Sequence, residues 1–286
     1  MKIGILGPEH MAMTWEKHLR LVSDVREVVI APELKLLRNM DACLILSDAV
    51  LTPGPSGALL EALKHHCHIL WVAPLPTDLN EISRWHETSE EAGVKVMFSM
   101  WAHYSPATRW LFNHISSPKK IHIHREWPGP RHTPDTHTLY RIILEEISLC
   151  LEWTQKRPVK LEGDLDFFPI RGSTMAHSMK QLHIRFSGDA RASILLNPFG
   201  LENRHSRFVT GNHMAAVCQI NEHLIKKWLF HGNASHTPEL MRFDYREPAR
   251  HLISHFIRSV RSGEQPLFGI SELQKLATFL SRFSPE

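Results

Sequence analysis

From Met1 to about Ile115 short apolar runs alternate with segments of helical period, and such alternation builds a parallel sheet with helices on its faces. Lys2 to Leu6 is an apolar run closed by Gly7, after which Met11, Trp15, Leu19 and Val22 recur at helical spacing. Further runs at Glu27 to Ile30, Ala42 to Leu46, His68 to Val72 and Val94 to Phe98 read as strands. Ser56 to Leu63 reads as a short helix. Asp78 to Ala92 carries Leu79, Ile82 and Trp85 on one face, with Gly93 placed to end the helix in a left-handed cap. Pro106 suits the first position of a helix reaching about Ile115.

The pattern changes at Ser116-Ser117-Pro118. Lys120 to His124 alternates like a strand with one wet face, Trp127 to Thr136 holds three prolines and reads as an irregular arm, and Thr138 to Trp153 reads as a helix. Period-two stretches then dominate: Gln181 to Phe186, Ala190 to Leu196, Ala215 to Ile220 and Lys227 to Phe230 predict an antiparallel sheet. Two helices close the sequence, Pro248 to Arg261 and Ser271 to Phe283. The expected fold class is therefore α/β. A Rossmann-like parallel-sheet domain over 1–117 is followed by an α+β domain over 118–286, whose open sheet is mainly antiparallel and which includes the C-terminal helices of 248–283.

At 286 residues the chain is long enough for two buried cores. Its 33 basic and 30 acidic side chains leave a net charge of +3 with no long Lys/Arg run, so no stripe tracks phosphates and nucleic acid is not an expected partner. No window approaches the roughly 20 apolar residues that a spanning helix needs, so no membrane partner is expected and a cytoplasmic protein is. Four widely spaced cysteines, Cys43, Cys67, Cys150 and Cys218, form no CxxC pair and fit a reducing compartment.

Several strings resemble the Gfo/Idh/MocA oxidoreductases: His68-Ile69-Leu70-Trp71-Val72-Ala73-Pro74-Leu75, Glu91-Ala92-Gly93-Val94-Lys95-Val96-Met97, Trp101-Ala102-His103-Tyr104-Ser105-Pro106 and the terminal Ser262-Gly263-Glu264-Gln265-Pro266. The resemblance spans nearly the whole chain and implies a dinucleotide-binding half followed by a sheet domain that often pairs two subunits, hence a homodimer. Several letters that carry the family's chemistry differ. The family's G-x-G-x-x-G/A falls on Gly7-Pro8-Glu9-His10-Met11-Ala12, with Glu9 where the backbone must approach a pyrophosphate and Pro8 removing an amide. The ribose-binding acid aligns with Ala31. The catalytic lysine aligns with Ala73, beside Pro74 in the cleft, and the acid/base histidine of the second domain aligns with Glu145.

Glu145 follows Arg141 at i+4, which is either an ion pair on a helix face or a general base set by its arginine. His103 and Tyr104 fall where the family's loop lines the ligand cleft, so His103 joins Glu145 as a catalytic candidate and Tyr104 joins Ala73, Pro74 and Arg141 as cleft residues. The 21 histidines invite a metal reading through His122/His124, His251/His255 and the group His65, His66 and His68. No pair has a third ligand nearby in sequence, and His251-Leu252-Ile253-Ser254-His255 lacks the zincin glutamate, so no metal is expected. Three readings remain: a homologue without a nicotinamide cofactor that binds a small molecule or protein partner or performs non-redox chemistry; an NAD(P)-dependent reductase with an atypical phosphate loop; and a dimeric interaction or assembly subunit.

Overall fold

The computed structural model describes residues 1–30, 34–46, 55–73, 75–76, 78–129, 132, 134, 136–163, 179–230, 237–243 and 247–282. The chain forms two compact units, Met1–Trp101 with Arg246–Ser281, and Ala102–Tyr245 with Arg282–Glu286.

In the first unit β1 (Lys2–Leu6), α1 (Glu9–Arg20), β2 (Glu27–Ile30), β3 (Ala42–Ile45), α2 (Pro55–Lys64), β4 (His68–Trp71), α3 (Leu79–Ala92) and β5 (Val96–Phe98) follow in turn. The strands form one parallel sheet in the order β2-β1-β3-β4-β5. Every residue of β3 is buried, as expected of a strand covered on both faces. A six-residue 3-10 turn, Leu34–Asn39, stands between β2 and β3 in place of a full α-helix. The ends of α3 are those read from sequence: the Asp78 carboxylate accepts from the Asn80 amide at 2.8 Å, and Gly93 closes the helix at φ 65°. Trp71, Trp85 and Phe98 fill the core beside β4, the two indoles 4.9 Å apart between ring centres.

The second unit begins with α4 (Trp101–Tyr104), α5 (Pro106–His114), β6 (Lys120–Pro128) and α6 (Thr136–Thr154), then β7 (Pro158–Gly163), β8 (Lys180–Phe186), β9 (Arg191–Gly200), β10 (Arg204–Thr210), β11 (Met214–Gln219), β12 (Leu224–Leu229) and β13 (Glu239–Arg242). The eight strands run in the order β13-β12-β11-β10-β6-β9-β8-β7, antiparallel except for the β6–β9 pair. Strand β8 alternates between buried and exposed at each residue, one face packed and one wet. Every residue of α6 from Ile142 to Cys150 is buried, which forces Glu145, Glu146 and Ser148 to find partners inside the protein.

The last helices, α7 (Glu247–Ser262) and α8 (Ile270–Ser281), correct the expected domain boundary. They belong to the first unit, α7 against α1 and α8 against α3, and the Phe268 carbonyl accepts from the Phe98 amide at 3.0 Å along the edge strand β5. Their apolar stripes are legible in sequence, but a stripe does not say which sheet it covers. The boundary near 117 also moves, since the units part between Trp101 and Ala102. Trp127 and Pro128, expected to open an irregular arm, are instead the last residues of β6.

Candidate functional site

Gly7, at φ 147°, makes the turn from β1 into α1 that only glycine makes without strain. Pro8 caps the helix with its carbonyl, accepting from the amides of Met11 at 3.0 Å and Ala12 at 2.9 Å, and it has no N–H to offer an anion. Glu9, the first helical residue, is an acid in the first turn, where its carboxylate meets the positive end of α1. Ala12 is fully buried, so the small third residue of the motif is kept. A pyrophosphate at this helix end would have the Glu9 carboxylate in the same first turn and no amide from residue 8. Ala73, 2% exposed, donates its amide to the Ile45 carbonyl at 2.9 Å and has no ionisable group. Ala31 and Pro74 lie outside the described residues.

His103 and Tyr104 lie on α4, not on a loop, and are 1% and 3% exposed. His103 Nε2 is 2.8 Å from Ser148 Oγ and its Nδ1 is 2.6 Å from Glu152 Oε2. Ser148 Oγ is also 2.8 Å from the Glu145 carbonyl, and the Glu152 carboxylate beside Nδ1 calls for a proton on that nitrogen, so the direction of the His103–Ser148 bond follows the imidazole tautomer. The chain Glu152–His103–Ser148 joins α4 to α6.

The charged centre of the second unit is one residue beyond the one singled out in the sequence. Glu146 is fully buried and accepts from Arg207 Nε at 3.1 Å and Nη2 at 2.8 Å, a bidentate pair. His205 Nε2 lies 3.1 Å from the same carboxylate and Arg125 Nη1 3.5 Å. Arg207, itself 1% exposed, also donates to the Thr108 hydroxyl. Burial would raise the Glu146 carboxyl, but Arg207 and His205 outweigh it and hold the group well below the usual carboxylate range. Burial, reinforced by Arg125 and Arg207, pushes His205 down to about 3, so it stays neutral at ordinary pH and donates one hydrogen bond. Burial also lowers Arg125; Glu146 and Glu145 oppose that shift, while Arg207 and Arg141 add to it.

Glu145 is 4% exposed and its field reaches both Arg125 and Arg207. The helix-face pair expected with Arg141 is not present: among the described residues Arg141 makes no ion pair, and its Nε is buried without a hydrogen-bond partner. The signal that could have found Glu146 is its setting, a second carboxylate in a helix that is otherwise apolar from Ile142 to Leu149 apart from Glu145 and Ser148. Strand β10 hid its inward-facing His205 and Arg207 in a polar string.

The histidines are absorbed locally. His68 Nδ1 accepts from the Lys95 amide at 2.9 Å, His255 Nε2 from the Leu267 amide at 3.0 Å, and His122 and His124 meet Ser193 and Glu126. Among the described residues no three His, Cys, Asp or Glu side chains are grouped to hold a metal, and no helix is long and apolar enough to cross a membrane.

No protein-family model and no curated protein sequence matches the chain. Solved structures do. UDP-N-acetylglucosamine 3-dehydrogenase GnnA from Acidithiobacillus ferrooxidans superposes with a TM-score of 0.81 at 14% identity, covering 99% of this chain and 96% of that one. A dehydrogenase (MviM) from Clostridium difficile gives 0.76 at 13% identity over 99% and 98% of the two chains. A probable dehydrogenase from Thermotoga maritima gives 0.72 at 15% identity over 98% and 95%. With a five-stranded parallel sheet in one unit and an eight-stranded, mainly antiparallel sheet in the other, the chain has the two-domain fold of the Gfo/Idh/MocA-type oxidoreductases.

Proposed function

We propose that this chain keeps the oxidoreductase scaffold but works without a nicotinamide cofactor, as a protein that binds a small molecule through its second unit. The observation that carries this reading is Glu9 at the start of α1, preceded by Pro8. A pyrophosphate bound there would meet a carboxylate and one amide fewer, and like charges at contact distance cost rather than stabilise. Ala73 supports it, since an alanine cannot relay a proton. The ligand-facing side chains in this reading are Arg141 and Glu145; His103 is held between Ser148 and Glu152.

Titration of the purified chain with NADH and with NADPH, followed by nucleotide fluorescence, tests the proposal. No saturable binding at micromolar concentration is expected, and micromolar binding of either nucleotide would refute it. A working NAD(P)-dependent reductase is the second reading, favoured by Gly7, which keeps the strand–turn–helix geometry of a phosphate loop. The open face of the eight-stranded sheet also suits a second copy of the chain, and sedimentation of the purified protein decides between monomer and dimer.

A further inference from the structure

Three guanidinium groups, Arg125, Arg141 and Arg207, share their surroundings with two carboxylates, Glu145 and Glu146. His205 is neutral, so the described residues of this cluster carry one positive charge more than they balance. The balance is uneven in space. Arg207 and Glu146 are sealed at 1% and 0% exposure and satisfy each other through two hydrogen bonds. Arg125 is 21% exposed at its side chain and holds Glu146 only at 3.5 Å, with the Trp127 ring 5.6 Å from its guanidinium carbon. Arg141 is partly exposed, yet its Nε is buried with nothing to bond. A buried N–H of a charged group left without an acceptor costs free energy that an anion at that position would return.

We propose that Arg141, backed by Arg125, receives an oxyanion of the ligand, a carboxylate or a phosphate, so that the small molecule bound by the second unit is an anion. The inference rests on the reading of that unit as a ligand-binding half. Glu145 sets the other side of the site: a carboxylate beside the anion-binding arginine disfavours a second negative group and favours a hydroxyl or amine on the same molecule.

The test uses the full chain and two probes at constant ionic strength set with sodium chloride, inorganic phosphate in one arm and malonate in the other, with binding read by calorimetry. Saturable binding of one probe identifies which oxyanion the site prefers. Arg141→Gln is expected to weaken that binding about tenfold to a hundredfold, the worth of one charge-assisted hydrogen-bonding contact, and Arg141→Lys to recover part of it. A circular dichroism spectrum and urea midpoint equal to those of the parent establish that the variants are folded. No binding of either probe at tens of millimolar, or binding unchanged in Arg141→Gln, overturns the inference. Neither probe contains adenosine or nicotinamide, so this outcome is independent of the NADH and NADPH titrations.

Discussion

Replacing Glu146 by glutamine keeps the shape of the side chain and removes the charge that Arg207, Arg125 and His205 converge on. In the variant Arg207 remains 1% exposed, with the Thr108 hydroxyl and a neutral amide oxygen to bond and the Glu145 carboxylate acting on it through its field alone. Breaking one side of a buried ion pair costs about 3–5 kcal/mol, because the surviving charge is neither solvated nor paired. That is a large part of the roughly 5–15 kcal/mol by which a domain is stable. For a unit of this size it corresponds to a fall in melting temperature on the order of 10 °C. Urea unfolding followed by circular dichroism measures it, and the transition that moves must be that of the second unit. The double variant Glu146→Met/Arg207→Leu is expected to regain most of the loss, since apolar groups of similar volume carry no desolvation penalty. A loss under about 1 kcal/mol in Glu146→Gln would refute the reasoning, for that is the worth of a pair already wet.

Three further outcomes follow from the same structure. His205, neutral when folded, takes up its proton in the unfolded chain below about 6.5 but in the folded chain only near 3. Between these values the unfolded state binds more protons, so stability is lost as pH drops, by up to about 1.4 kcal/mol per unit, and His205→Gln should flatten that slope in a urea series from pH 6.5 to 4.5. Glu146, held low by Arg207 and His205, adds to acid loss as pH falls through the ordinary carboxylate value of about 4.5 and onward, which leaves the upper part of that series to His205. All four cysteines are buried, with burial pushing the Cys218 thiol up to about 12, so the native protein should resist a thiol reagent until it is unfolded. Gly163→Ala should unpair the β7 edge: φ is 126° and an added Cβ would stand 2.0 Å from the Gln181 carbonyl oxygen, visible as faster amide exchange in β7 and β8.

Elements fixed by local signals were legible in the sequence. Asp78 and Gly93 bracket α3 because capping is a contact between near neighbours, and β1 shows because Gly7 punctuates an apolar run. Strand β10 was not legible: Arg204-His205-Ser206-Arg207 has the composition of a surface loop, and its inward face makes sense only once Glu146, some 60 residues away, is brought to it. The same distance hid the site. Alignment with the family's acid/base histidine pointed to Glu145, with Arg141 four residues before it, whereas the buried network forms through Glu146, one position and about 100° further round α6. The allocation of α7 and α8 to the first unit was equally invisible, because an amphipathic helix records that it is covered and not by what.

That allocation bears on the order in which the protein can be made. The chain enters the first unit, leaves it at Trp101 and returns only at Arg246, and Lys95 meets Gln265 across a separation of 170 residues. Closing a flexible loop of that length costs about 4–5 kcal/mol of chain entropy by the logarithmic rule. During synthesis α3 and β5 emerge long before the segments that cover them, so their apolar faces must wait, a ready substrate for a chaperone. The second unit is nearly continuous and has no such delay. Folding it first turns most of the intervening chain from a floppy tether into a compact body, and the last helices then dock as a latch on a half-built sheet.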